Sequence, residues 1–244
     1  MVVTAAVGAG LGAPAPADGD RPAAAPPIAA TVLPAPAPAL TVGDVARNDC
    51  TAAAVRPLSE QLLSEVNCLR PGTLASLDGI PGVVLGINAL PTLDAAAARA
   101  LAAVATDDDP LILFSTTRAL SQQYVYHYWY THDRCPSVVS LAAPPGRSNH
   151  ETGSAIDVPA FARWRARLRA HGFRWYGRGD VVHFDFRGHR AARLPRLAVQ
   201  AFQRLWNRNH PDDRLRVNGR WDAATAARMD RAPAAGFAAG PSCR

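Results

Sequence analysis

With 244 residues and a formal net charge of +6, the chain is long enough to bury a substantial core, either as one large domain or as a catalytic domain with a small appendage, so size leaves an enzyme open. No stretch approaches ~20 uninterrupted apolar residues, which argues against a transmembrane span. The excess of arginine is spread from Arg163 to Arg231 without a dense block; that suits an acidic polymer as partner and is too diffuse to specify nucleic acid.

The start, Met1 to Leu11, is weakly apolar and leads into small residues ending in Ala15-Pro16-Ala17, like the back half of a signal peptide with no positive residue before it. From Ala13 to Leu40 alanine and proline dominate, so residues 1–41 read as a signal-like start and an extended tether, with order beginning near Val42. Leu58, Leu62, Val66 and Leu69 recur at helical spacing, and Leu93 to Ala105 is an alanine-rich helix after Pro91. Pro110 to Ser115 is a short apolar run that reads as a buried strand, followed by an aromatic-studded helix from Arg118 to Tyr130. Gly153 to Val158 and Val181 to Phe186 read as two further strands, separated by a helix from Phe161 to His171. Pro195 to Asn209 and Asp222 to Met229 form a last helical pair, which predicts a small unit over residues 191–244 beside a catalytic domain over 42–190. Strands and helices do not alternate as regular βαβ units, so the expected class is α+β, an antiparallel sheet with helices mainly on one side.

The four cysteines, Cys50, Cys68, Cys135 and Cys243, include no close Cys-x-x-Cys pair, so disulfides in an oxidising compartment are the better reading than a structural metal site. Three pairings are possible. The one expected here joins Cys50 to Cys68 across one short helix and Cys135 to Cys243 at the tail.

The chemistry concentrates in two segments. In SNHETGSAID, from Ser148 to Asp157, a loop histidine is followed by an aspartate inside an apolar strand, where an ionised group needs a partner. Strand alternation puts Asp157 and Ala155 on one face and turns Ile156 and Val158 to the other. In GRGDVVHFDF, from Gly177 to Phe186, His183 shares its face with Val181 and Asp185. If the segments converge, His150, Asp157 and His183 form a ligand set suited to Zn²⁺ with one position open. Asp180, three residues before His183, is then the candidate general base toward the attacking water. Arg118, just past the apolar strand, can stabilise the oxyanion or bind a substrate carboxylate. Ser148 either caps a turn or lines the site. Taken singly, each histidine is more often a hydrogen-bonded residue with no ligand role, and Asp157 can simply pair with an arginine; the joint spacing is what favours a metal.

These residues resemble the zinc D-Ala-D-Ala carboxypeptidase and endopeptidase family that includes VanY-type and VanX-type enzymes. SNHETGSAID fits its Ser-x-His-x-x-Gly-x-Ala-x-Asp pattern at every specified position, and DVVHF from Asp180 to Phe184 fits its acid, two residues, then His-Phe. STTRALSQQ, from Ser115 to Gln123, is similar to the family's Ser-x-Tyr-Arg segment followed by Gln, with Thr117 in place of Tyr. The resemblance implies a DD-carboxypeptidase/hedgehog-like fold, zinc on His150, Asp157 and His183, Asp180 as base, and Arg118, Ser148 and Gln123 toward substrate. It implies peptidoglycan as partner; with the cysteines and the signal-like start, a secreted, periplasmic or wall-associated protein is expected, a monomer that, given its diffuse charge, does not bind nucleic acid. The tail from Leu197 to Met229 resembles a peptidoglycan-binding repeat at Gln203, Leu205, Gly219 and Thr225, while Asn218, Trp221 and Asp222 depart from it; the alternative reading is a helical pair packed on the catalytic domain. The expected function is hydrolysis of stem-peptide bonds; the alternative is a catalytically silent wall-binding or signalling module on the same scaffold.

Overall fold

Thr41 opens the first helix, α1 (Val42–Asn48), by a capping box: its hydroxyl accepts from the Asp44 amide at 3.1 Å, while the Asp44 carboxylate accepts from the Thr41 amide at 3.0 Å. A 3-10 turn (Ala52–Val55) leads into α2 (Arg56–Leu69), which has proline in its first turn and buries Leu58, Leu62, Leu63 and Val66 along one face. These elements belong to a computed structural model that describes residues 39–188 and 194–243; the start and most of the tether expected from sequence lie outside the described residues.

Short strands follow. β1 (Leu74–Ser76) pairs antiparallel with β3 (Thr92–Asp94), and β2 (Val83–Leu85) pairs parallel with β4 (Leu111–Leu113). Between β3 and β4 lies α3 (Ala95–Leu101), whose cap is Asp94, accepting from the Ala96 and Ala97 amides. After β4 comes α4 (Leu120–Thr131), then a loop to the 3-10 turn His150–Thr152 and β5 (Ala155–Asp157). α5 (Phe161–Ala170), β6 (Phe173–Gly177) and β7 (Asp180–Phe186) complete the three-stranded antiparallel sheet of order β5-β7-β6. The chain ends with α6 (Leu194–Asn209) and α7 (Ala223–Arg231). The α+β class holds, with helices and small, mostly antiparallel sheets; the parallel β2–β4 pair is an addition to the antiparallel expectation.

Two clusters of buried side chains organise the described residues. One gathers Ile156, Phe173 and Phe184 from the three-stranded sheet with Val158, Trp164, Leu168, Leu101, Leu111 and Leu113. The other joins Val45 of α1, Leu58 and Leu62 of α2 and Trp129 of α4 to Phe202, Leu205 and Trp206 of α6 and Met229 of α7. The C-terminal helical pair therefore has no core of its own: its apolar stripe completes the one started by α1, α2 and α4, and Pro38–Arg244 is one compact unit. In that tail, the residues that resemble a wall-binding repeat make internal bonds. Gln203 accepts from the Asn218 and Gly219 amides at 3.0 Å each and donates to the Arg220 carbonyl and the Thr225 hydroxyl at 3.2 Å each. Gly219 sits at φ +67° and a Cβ there would come within 2.7 Å of the Arg196 carbonyl oxygen, so glycine is required.

All four cysteines are bonded, with a pairing that differs from the expected one: Cys50 joins Cys135, and Cys68 joins Cys243. The reason is the shared helical core. Packing of the C-terminal tail against α2 brings Cys243 to the end of that helix, while the chain leaving α4 returns to the end of α1. Gln61 reinforces the first arrangement by bonding both the amide and the carbonyl of Phe237.

Candidate metal centre

The Ser-x-His-x-x-Gly-x-Ala-x-Asp spacing has a local physical cause at every fixed position. The Ser148 hydroxyl accepts from the His150 amide at 3.2 Å and starts the 3-10 turn. Gly153 ends it at φ +69°, and a Cβ there would lie 2.5 Å from the Asp94 amide nitrogen, so both conformation and space demand glycine. Ala155 is fully buried opposite Asp185, and Asp157 lies opposite His183 in the β5–β7 register. On its other side Asp157 bridges to Ser115, its amide donating to the Ser115 carbonyl at 2.9 Å, so the strand carrying it is held from both edges.

These constraints bring three donor atoms together. His150 Nε2 is 3.3 Å from Asp157 Oδ1, His183 Nδ1 is 3.2 Å from the same oxygen, and the two ring nitrogens are 3.2 Å apart. Ligand bonds of ~2.0–2.1 Å at tetrahedral angles need donor atoms roughly 3.3 Å apart, so this triangle fits a Zn²⁺-sized ion and leaves one side for a fourth ligand. His150 Nδ1 donates to the Thr116 carbonyl at 2.7 Å, which frees the Nε2 lone pair, while His183 Nε2 faces Asp185 Oδ1 at 3.0 Å and leaves Nδ1 toward the triangle.

The electrostatics suit a cation. Burial, seconded by the Arg118 charge, lowers the His150 pKa and keeps the ring neutral. Burial alone would raise Asp157, yet His150, His183 and Arg118 outweigh it and hold the carboxyl well below its usual range. At His183 burial opposes protonation, but hydrogen bonds to Asp157 and Asp185 prevail and push the pKa up to about 9, so without a metal a proton sits on this ring. Asp180 is raised, first by burial and then by the Asp157 charge.

The triangle opens into a cleft of about 390 Å³ lined by Arg118, Ser148, His150, Asp180 and His183, with Tyr130, Leu141 to Pro144, Arg147, Asn149 and Tyr176 as its remaining wall. Asp180 thus shares the cleft with both histidines. Arg118 also reaches it, but its guanidinium is engaged: one amino group donates to Asp157 Oδ2 at 2.8 Å, Nε donates to the Ser115 hydroxyl at 2.9 Å, and the Tyr126 ring lies 4.7 Å away. The ion pair to Asp157 and the position at the cleft therefore belong to the same guanidinium. Gln123, expected toward substrate, is fully buried and instead donates to the Ala143 carbonyl at 2.7 Å. It lies on the inward face of α4, and its effect on the cleft passes through the loop it holds.

Three further residues acquire a part in the site through the fold. Glu151 accepts from the Gly146 and Ser148 amides at 2.9–3.1 Å and fixes the loop that walls the cleft; burial pushes its pKa up to about 8 against those bonds. Tyr176 meets the His183 ring edge-on at 5.5 Å. Asp185 accepts from His183 Nε2 and is itself held by Asn149 at 2.8 Å and Arg187 at 3.0 Å. The signal for Asp185 is its place two residues beyond His183 on the same strand face. A carboxylate behind a ligating histidine orients the ring and raises its basicity, so Asp185→Ala is expected to weaken metal binding by about 10–100-fold, with Asp185→Asn in between. Competition against a chromophoric chelator reads this directly, and unchanged affinity in Asp185→Ala would refute it.

Residues 90–175 match the VanY family model, described as D-alanyl-D-alanine carboxypeptidase. The matched span contains Arg118, His150 and Asp157 and ends before Asp180 and His183. No curated protein and no solved structure matches the chain.

Proposed function

We infer, from the premise that residues 90–175 are a VanY-like domain, that this chain is a zinc-dependent peptidase acting on peptide bonds of peptidoglycan stem peptides, as a D-Ala-D-Ala carboxypeptidase or a related endopeptidase. The observation that carries the reading is the triangle of His150 Nε2, Asp157 Oδ1 and His183 Nδ1, at a spacing that a tetrahedral ion requires. Bound there, Zn²⁺ would polarise the scissile carbonyl and lower the pKa of water to ~7.

The protein's own groups do the rest. Asp180, half-buried in the cleft with a raised pKa, takes the proton from the attacking water and returns it to the leaving amine. Arg118 fixes Asp157 through Oδ2, so that Oδ1 alone faces the triangle, and presents positive charge to the cleft where an oxyanion or a terminal carboxylate would lie. Glu151, Ser148 and Gln123 hold the loop that forms the substrate wall, with Ser148 itself in the lining. The two disulfides support action in an oxidising compartment outside the cytoplasm, where peptidoglycan lies.

Digestion of purified peptidoglycan with fragment identification by mass tests the activity, and Asp180→Asn tests the base. The variant is expected to lose about 10²–10⁴-fold in kcat while retaining its metal. Full activity in Asp180→Asn would remove it from the mechanism, and wild-type protein that loads zinc yet releases no fragment would leave only a wall-binding module.

A further inference from the structure

A second cavity, of about 510 Å³, lies beside β6, the edge strand of the three-stranded sheet, and its lining includes Arg165, Arg169, Arg174, Arg187, Phe173 and Trp175. Four guanidinium groups around one cavity repel one another, and arginines four apart on a helix do so directly. The same helix shows how such repulsion is usually relieved. Arg163 and Arg167, on the other face of α5, both pair with Asp109. Among the described residues Arg165, Arg169 and Arg174 have no carboxylate within ion-pair distance, and Arg187 alone has one, Asp185 at 3.0 Å.

All four arginines are exposed, but two of them are held by neighbouring groups. Arg165 lies over the Trp175 indole at 4.2 Å, and that indole is fixed by its Nε1–H bond to the Val181 carbonyl at 2.8 Å and by stacking on Phe161 at 5.7 Å. Arg187 is fixed from the other side by Asp185. Two of the four forks are thus held in place before any ligand arrives, which reduces the ordering cost of binding. Guanidinium forks match phosphate oxygens in bidentate geometry, and one phosphate group carries about −1.5 to −2, so two phosphate groups balance four arginines of which one is partly neutralised.

We propose that this cavity is a binding site for a diphosphate-class anion, free or as an ester, distinct from the peptidase cleft. The two sites are linked by one carboxylate: Arg187 holds Asp185, and Asp185 holds His183.

Isothermal titration of the whole protein with inorganic pyrophosphate tests the site, with a nucleoside diphosphate as a second arm that separates an ester ligand from a free one. The triple variant Arg165→Gln, Arg169→Gln, Arg174→Gln is expected to bind at least about tenfold more weakly. A control with equal charge loss on exposed arginines elsewhere, Arg70→Gln, Arg216→Gln, Arg220→Gln, is expected to change affinity less than about twofold. Equal losses in both triples would reduce the effect to overall charge and overturn the proposal. Binding that persists in the cavity triple but vanishes in His150→Ala would be chelation at the metal centre and overturn it too. So would a cavity triple that self-associates with unchanged pyrophosphate affinity, since the arginines would then only guard an open strand edge.

Discussion

Replacing His150 with alanine is expected to abolish zinc retention and to lower stem-peptide hydrolysis by on the order of 10³-fold or more, because the Lewis-acid contribution is worth several kcal/mol and each 1.36 kcal/mol is tenfold in rate. The fold should survive: His150 sits in a 3-10 turn whose ends are set by Ser148 and Gly153, and its ring makes one backbone bond, to Thr116. Metal analysis of the purified variant beside its circular dichroism separates the two effects, and a variant that keeps stoichiometric zinc would remove His150 from the ligand set. The wild-type site carries a pH signature as well. His183 is pushed up to about 9 by its hydrogen bonds to Asp157 and Asp185 against the opposing effect of burial, so below that pH the ion must displace a proton from the ring. Apparent zinc affinity should therefore rise by about tenfold per pH unit between roughly pH 7 and 9, with His150 adding no further proton because its own pKa is lowered. A flat profile over that range would mean that no ring proton is displaced.

Much of this centre is legible in the chain because its informative residues break a local rule. Asp157 between Ile156 and Val158, and His183 among β-formers, are polar residues at positions where a strand favours apolar ones, and alternation gives each its face; the β5–β7 register then sets them opposite each other. The loop histidine and its glycine are readable for the same reason, since Gly153 answers a left-handed backbone. What escapes is whatever depends on distant packing. β1, β2 and β3 are three residues each, too short for a period, and β6 hides in FRWYG directly behind a helix that ends at Ala170. Gln123 looks the same in sequence whether it faces the cleft or the loop behind it. Cysteine pairing and the helical core escape together: α2, α6 and α7 are visible one by one, but nothing local says that they share a core with each other and with α1, and the disulfides follow from that union.

That union predicts the largest stability effect outside the site. Glu65, on α2, is fully buried in the helical core and accepts from Arg204 at 2.9 Å, from Arg208 at 3.3 Å and from the Ser242 amide at 3.0 Å, so one carboxylate ties α2 to α6 and to the C-terminal tail. Glu65→Ala leaves two guanidinium groups and an amide without their partner, and truncating one member of a buried ion network costs about 3–5 kcal/mol. The arginine side chains are 30% and 25% exposed and can recover some hydration, which places the expected loss near the lower bound, about 3 kcal/mol. For a chain of this size that corresponds to roughly 6–12 °C in Tm. Replacing the whole network with apolar residues, Glu65→Leu with Arg204→Leu and Arg208→Met, should recover most of that loss, because no charge is then left without a partner. Denaturant unfolding of the single and triple variants distinguishes a network that adds stability from one whose rupture alone is costly: a triple variant as unstable as Glu65→Ala would mean that the ions themselves hold α6 to α2. In either case zinc affinity should stay unchanged in the folded protein, since Glu65 lies on α2, whose apolar residues belong to the helical cluster, while Ile156 and Phe184, neighbours of the candidate ligands Asp157 and His183, belong to the other.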